Sequence, residues 1–213
     1  MTTLYFVRHG ESEANLISRF AGSLDCPLTQ RGREQAEATA KHLQKMPIKA
    51  VYASDLSRAH NTGLAIANGL DVPLYDMPAL REIHAGLWEG KMYSQLEAEF
   101  PDSYGVWKNQ IGLAACPDGE SVQELQNRIR ACVEEIVRRH PNEAVCIATH
   151  ATPIRVMECV WTNTRLADMH TIPWVSNASI TVAQYDDSGN AQLLVRDFHD
   201  HLGLLSTKLA KNV

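Results

Sequence analysis

An α/β fold of three layers, αβα, around a mostly parallel sheet is what the order of apolar patterns predicts. Three observations carry that expectation. Short apolar runs rich in β-branched residues, at 3–7, 48–53 and 144–148, alternate with longer stretches of helical periodicity. Strands alternating with helices build a parallel sheet covered on both faces. Near its end the chain carries two alternating runs, 179–185 and 192–198, around Asp186-Asp187-Ser188-Gly189-Asn190, a hairpin that adds an antiparallel edge.

The first run stops abruptly at Arg8-His9-Gly10, and 11–28 is polar and irregular, with Gly22, Asp25 and Pro27 as turn residues. Thr29 is the predicted cap of a long helix in which Ala36, Ala40, Leu43 and Met46 recur at helical spacing until Pro47 ends it. After the run at 48–53, Ser54 is the predicted N-cap of a helix reaching about Asn68, and 71–74 is a short extended segment. The stretch 80–119 is the least regular, with Trp88, Trp107, a short helix near 94–100 and several Gly and Pro. It reads as a lid-like, substrate-covering insertion at about 84–119. Residues 121–140 form a clear amphipathic helix, its stripe made by Val122, Leu125, Ile129, Val133, Ile136 and Val137. The run 144–148 leads to Thr149-His150 and a helix from about Pro153 to Trp161, and the tail from His199 is expected near the surface. With no repeat and no linker, 1–213 reads as a single domain.

Composition narrows the function classes. A formal net charge of −5 argues against broad nucleic-acid or anionic-membrane binding, so an anionic ligand needs a local cluster of cations. Five scattered cysteines (Cys26, Cys116, Cys132, Cys146, Cys159) without C-x-x-C spacing favour reduced thiols over a disulfide framework or zinc site. No stretch is long enough to span a bilayer and no leader pattern precedes Thr3, so a cytoplasmic location is expected.

Three predicted strand ends carry candidate chemistry: Arg8-His9, Ser54 to Arg58, and Thr149-His150. In a parallel sheet such ends share one rim, where ligands bind. Arg8 offers a planar fork for phosphate oxygens, and His9 is a candidate nucleophile, base or ligand. Gly10 admits close approach of backbone to a ligand or a positive φ. Arg58 lies near a helix N-terminus, which itself favours anions, although alone it reads as an exposed helical arginine. His150 alone reads as a capping or packed histidine, and Glu82 alone as a surface glutamate beside Arg81.

Five blocks in order change those readings. Arg8-His9-Gly10-Glu11-Ser12-x-x-Asn15, Leu28-Thr29-x-x-Gly32-x-x-Gln35-Ala36, Ser54-x-Leu56-x-Arg58-Ala59-x-x-Thr62, Leu80-x-Glu82-Ile83 and His150 together closely resemble the histidine phosphatase superfamily, the phosphoglycerate mutase-like enzymes. The resemblance runs from residue 4 to about 181. It implies that His9 is the nucleophile, forming a phosphohistidine that water hydrolyses, and that Arg8, Arg58 and His150 clamp the phosphoryl oxygens. Asn15 adds a neutral donor, Ala151 stands beside the phosphate, and Glu82 is the general acid, its pKa pushed up by the phosphate it faces. No metal or other cofactor is implied. Asp118-Gly119-Glu120-Ser121 resembles the family's turn into its long helix, with Ser121 as a cap, and Asn177-Ala178-Ser179-Ile180 a structural entry to a late strand.

Glu82-Ile83-x-x-Gly86-x-Trp88-x-Gly90 is similar to the small phosphatase branch, and no arginine pair precedes Gly119, unlike cofactor-dependent mutases. The resemblance therefore implies a metal-independent phosphatase acting on small-molecule phosphomonoesters. The alternatives are mutase-type phosphotransfer and a non-catalytic module binding a phospho-ligand. Which phosphomonoester is left open: phosphoserine, α-ribazole phosphate, sugar phosphates or a broad range. In the family that the chain resembles, Gly often follows the second histidine; here Ala151 stands there, its methyl group tolerable if its φ is ordinary. Specificity is expected in 84–119, in the loop 16–25 and in the tail, where His199-x-His201 reads as substrate-facing or solvated rather than as half of a metal site. Trp88, Trp107 and Trp174 read as core or lid packing, with a pocket for an apolar leaving group as the other reading. A homodimer through a sheet edge is left open.

Overall fold

The computed structural model describes residues 1–207. Six strands form one sheet in the order β3-β2-β4-β1-β5-β6. They are β1 (Thr2–Arg8), β2 (Ile48–Ala53), β3 (Leu74–Asp76), β4 (Ala144–Thr149), β5 (Ile180–Tyr185) and β6 (Ala191–Phe198). β1, β2, β3 and β4 pair in parallel; β5 is antiparallel to both β1 and β6, so the expected edge hairpin attaches directly to the central strand.

Alternation along the strands sorts the core into two layers. Leu4, Phe6, Ala50, Tyr52, Val145 and Ile147 point to one face and pack with the stripes of α6 (Val122–Arg139) and α7 (Ala151–Trp161). Val7, Val51, Cys146, Ile180 and Val182 point to the other, against Ala40 and Leu43 of α2 (Gln30–Leu43) and Ile66 and Ala67 of α3 (Ser57–Leu70). This is the three-layer arrangement that the patterning predicts. At the start of α6, Ser121 and Glu124 form a reciprocal capping box, and Thr29 Oγ1 accepts from Gly32 N–H at 3.0 Å to cap α2.

Three local expectations are corrected. Ser54 does not cap α3, which starts three residues later; Asp25 Oδ1 accepts the Ser57 N–H at 2.7 Å, a cap supplied from 32 residues away. The irregular stretch after Gly10 contains a short helix, α1 (Glu13–Leu16), with Ser12 and Asn15 as its capping box. Between 84 and 119 the chain forms α4 (Tyr93–Glu99), α5 (Pro101–Asn109) and single 3-10 turns. Gly105 within α5 and the scarcity of apolar repeats hide that second helix from periodicity. These pieces bury Trp88, Tyr104, Trp107 and Ile111 into the α6 side of the core.

The described tail lies at the surface, as expected, with Asp200, Gly203 and Leu204 exposed, but His201 is packed rather than solvated. His201 Nε2 and Thr39 Oγ1 of α2 lie 2.9 Å apart, and the ring stacks on Phe198 and tilts against His42. Gln35 Nε2 donates to Leu205 O at 2.8 Å. Residues 208–213 fall outside the described part.

Candidate active site

The adjacent strands β2, β4 and β1 end side by side, and pairing continues one residue beyond each: His9 N–H donates to Thr149 O, and Ser54 N–H to Ala148 O, both at 2.9 Å. That register brings the His9 and His150 rings together edge to face, 5.1 Å between centroids. The three strand ends read from sequence therefore do converge on one rim.

The turn after β1 is locked by the residues of the second and third sequence blocks. A Cβ on Gly10 would lie 2.3 Å from Gly32 O, and one on Gly32 would lie 2.0 Å from Glu11 O. The two glycines are there so that two backbones can touch each other. Neither a ligand's approach nor a positive φ at Gly10 accounts for it. Glu11 N–H donates to Gln35 Oε1 (2.7 Å), Gly10 N–H to Thr62 Oγ1 (3.1 Å), and Thr29 Oγ1 to Glu11 Oε1 (2.8 Å). Side chains from α2, its cap and α3 thus hold the turn that follows His9.

His9 is buried, and its Nδ1 lies 2.7 Å from its neighbour's carbonyl, Gly10 O. That carbonyl can only accept, so Nδ1 carries the proton and Nε2 is left with a free lone pair toward the cavity. Burial, then Arg58 and Arg8, hold the His9 pKa well below the ordinary imidazole value, which keeps the ring neutral.

Two arginines border the same cavity, and both are almost fully buried. Arg8 donates to Val175 O at 2.6 Å; Arg58 donates to Leu24 O and Gly22 O, each at 2.8 Å. Arg58, the second residue of α3, is thus far from the exposed helical arginine that it resembles in isolation. Asn15 also lines the cavity; its Oδ1 accepts from Ser12 N–H, Ser12 Oγ and Asn177 Nδ2, which turns its own amide N–H groups outward.

His150 sits behind the cavity surface, fully buried. Its Nε2 is 2.9 Å from Ser54 Oγ, and its Nδ1 has no protein partner. Burial and the neighbouring Arg58, His9 and Arg8 lower its pKa well below the usual value. Ala151 opens α7 and lines the cavity, and it is not among the residues of positive φ, so its methyl group is accommodated without strain.

Glu82 reaches the cavity from the loop before 84–119. Its Oε1 accepts from Ile83 N–H (2.8 Å) and its Oε2 from Thr152 N–H (3.2 Å), at the first turn of α7. Burial raises its pKa above the ordinary carboxylate value, outweighing those two N–H donors and Arg58. The upward push exists without a phosphate in place. Among the described residues no group of three or more His, Cys, Asp or Glu side chains is placed to hold a metal ion.

Above this floor, rings form a wall. Phe20, Tyr93, Trp107 and Trp174 line the cavity, with Arg19 and Thr152 beside them. Phe20 meets Trp107 edge to face at 5.2 Å, and Arg155 stacks under Trp174 at 4.0 Å. Trp88 lies in the core beneath. The loop 16–25 and the segment 84–119 therefore both contribute lining residues, as expected, whereas none comes from the described tail. Tyr93, Thr152 and Arg19 were not singled out by sequence. For Thr152 a signal existed, since it stands two residues after His150 where a helix was expected to open.

With this geometry in hand, known proteins place the chain. The family model of the histidine phosphatase superfamily, branch 1, matches residues 4–197. The chain belongs to that superfamily. Phosphoserine phosphatase 1 of Hydrogenobacter thermophilus is 30% identical over 203 residues, covering 95% of both chains. The metal-independent phosphoserine phosphatase of Arabidopsis thaliana is 31% identical, covering 88% of this chain and 78% of that one. The solved structure of Bacillus stearothermophilus YhfR superposes with a TM-score of 0.91 at 32% identity, covering 95% of this chain and all of that one.

Proposed function

We propose that this chain, a small-molecule phosphatase of its superfamily, hydrolyses phosphomonoesters through a phosphohistidine at His9 and without a metal ion. One observation carries the reading: a neutral imidazole with its Nδ1 proton tied to Gly10 O faces a cavity bordered by Arg8, Arg58 and a carboxyl group of raised pKa. The name of the Arabidopsis relative supports the metal independence.

His9 Nε2 attacks phosphorus, and the phosphorus–ester oxygen bond breaks with its electron pair going to oxygen. Glu82 gives that oxygen its proton. The Glu82 carboxylate then takes a proton from water, whose oxygen attacks phosphorus; the phosphorus–nitrogen bond breaks, and neutral His9 and phosphate result. Arg8 and Arg58 hold the equatorial oxygens throughout, since fixed positive donors count most where charge spreads in the transition state. Asn15 donates an amide N–H, and neutral His150, with Nε2 accepting from the Ser54 hydroxyl, donates its Nδ1 proton beneath the phosphoryl group. Ala151, at the first turn of α7, borders the same oxygens.

The 84–119 segment covers the leaving group within a single domain spanning 1–213. Its rings offer mixed apolar and edge-on surface, with Arg19 at the rim. The five cysteines, all free, fit a reducing cytoplasm. No helix among the described residues is long and apolar enough to cross a membrane.

The test is release of phosphate from a panel of phosphomonoesters with excess chelator present, following isomerised product as well, with His9→Ala as control. Net release that survives the chelator and disappears in the control is expected. Isomerisation without release would replace hydrolysis by mutase-type transfer, and binding without turnover would favour a phospho-ligand module.

A further inference from the structure

Glu82 stands between two open spaces. The phosphate-facing cavity lies on one side, and on the other is a more open cleft lined by Arg81, His84, Glu120 and Arg128. Its loop has little helical or strand pairing of its own; Leu80 and Ile83 are buried on either side of Glu82 and Thr149 Oγ1 donates to Leu80 O at 2.7 Å, while the carbonyls at 79, 81 and 82 find no backbone partner in a strand or helix. One side chain gathers those carbonyls. Arg128 of α6 donates through Nη1 to Ala79 O (2.8 Å) and Arg81 O (3.1 Å), and through Nη2 to Glu82 O (3.3 Å). Its remaining face pairs bidentately with Glu120, Nε to Oε1 at 2.9 Å and Nη2 to Oε2 at 2.8 Å. Glu120 returns to the same loop: its Oε2 accepts from His84 N–H, and its own N–H donates to His84 O at 2.7 Å. Both side chains of the ion pair are mostly shielded from water, where such a fork is more rigid than at an exposed surface.

We propose that Arg128, fixed by Glu120, is the positioning residue for Glu82: it gathers the carbonyls at 79, 81 and 82 and sets where the carboxyl points. This rests on the reading of Glu82 as the general acid. It also gives Asp118-Gly119-Glu120-Ser121 a second purpose. Ser121 caps α6 while Glu120, one residue earlier, ties that helix to the acid loop two turns further along. The planar fork is needed because one guanidinium serves three carbonyls and a carboxylate at once, which an ammonium cannot span.

The experiment compares single-turnover formation of the phosphoenzyme from two esters in the wild type, Glu82→Gln, Arg128→Met, Arg128→Lys and Glu120→Gln. One ester is an alkyl phosphate, whose leaving oxygen needs a proton; the other is 4-nitrophenyl phosphate, whose leaving oxygen needs none. Glu82→Gln should slow the alkyl ester far more than the aryl one. Arg128→Met should reproduce that selectivity at smaller amplitude, about 10- to 100-fold on the alkyl ester and within about 2-fold on the aryl one, because a displacement near 1 Å costs that much. Arg128→Lys should recover part of the loss, and Glu120→Gln should show a weaker form of it. A carboxyl that is no longer held in place becomes better solvated, so the alkaline limb of the pH profile should move to lower pH in Arg128→Met.

Equal slowing of both esters in Arg128→Met and Glu120→Gln, or no slowing in either, would overturn the positioning role while Glu82→Gln keeps its selectivity. Equal slowing of both esters in Glu82→Gln would overturn the acid assignment itself, and the inference with it. Should Arg128→Met fail to fold, Arg128→Lys and Glu120→Gln decide by the same ratio of the two esters.

Discussion

The floor of the cavity comes from strand ends in the first and fourth strands, from the start of α3 and from a loop carboxyl, whereas its wall comes from rings scattered over residues 20 to 174. Floor residues are polar groups held by short hydrogen bonds to backbone: Arg8 to Val175 O, Arg58 to Gly22 O and Leu24 O, His9 to Gly10 O. Wall residues are held by contact alone, Phe20 against Trp107 and Trp174 over Arg155. A reaction centre needs atoms fixed within fractions of an ångström, which directional bonds supply. A wall that sorts leaving groups needs only shape, and packing supplies that. The chemistry of this protein and its selectivity should therefore be separable by mutation.

The largest effect that tests this separation is loss of the nucleophile. His9→Ala should reduce turnover of every ester by about 10⁴-fold or more, whatever the leaving group. A wall-like, ester-dependent loss would break the comparison. Next comes Glu82→Gln, expected to cost about 10²- to 10³-fold in kcat on alkyl phosphates and much less on aryl ones. Steady-state rates on a matched pair of esters decide that.

Third is Trp174→Ala. It should change kcat/KM by about 10-fold for bulky leaving groups while leaving acetyl phosphate within about 2-fold, since a lost hydrophobic contact discriminates by roughly that much. Uniform loss on both would place Trp174 in the floor. The smallest effect concerns stability. His9 and His150 are buried neutral with pKa values below the ordinary one, so the unfolded chain binds more protons than the folded one below about pH 6.5. Stability from these two groups is present above that pH and is lost as pH falls. Denaturant unfolding at pH 5 and pH 7 should show this, and the difference should shrink in His150→Asn; an unchanged difference would contradict the assignment.

The same contrast decides what the sequence made legible. His9, Arg8, Arg58, Glu82 and His150 lie in short blocks because each occupies one turn at a strand or helix end, and the blocks are recognisable without knowing what they touch. The role of Gly32 and Gln35 as supports of that turn is not local: it exists only once α2 is docked against the β1 turn. Arg58 illustrates the limit in the other direction. Its position near a helix start was readable, but its burial depends on the loop carbonyls of Gly22 and Leu24, which no periodicity places. Ser54 misled for a related reason: the cap of α3 comes from Asp25, and Ser54 is engaged with His150 instead.

In the wall, the tryptophans were visible as residues but not as a surface. Trp88 is core and Trp107 and Trp174 line the cavity; Trp107 sits on α5, which the sequence pattern conceals. The sheet order needed less. Alternating strands and helices, with a final hairpin, were enough to imply a parallel sheet with an antiparallel edge, and β1–β4 and β5–β6 pair accordingly. Direct attachment of β5 to β1 was beyond reach, because nothing within either strand specifies its neighbour.

The most direct test of the central claim is the stereochemical course at phosphorus, followed with an ester carrying three oxygen isotopes and transfer to an alcohol acceptor. Two in-line displacements, first by His9 and then by the acceptor, predict overall retention of configuration. Inversion would mean that the acceptor attacks the ester directly, and would contradict the phosphohistidine on which the account rests.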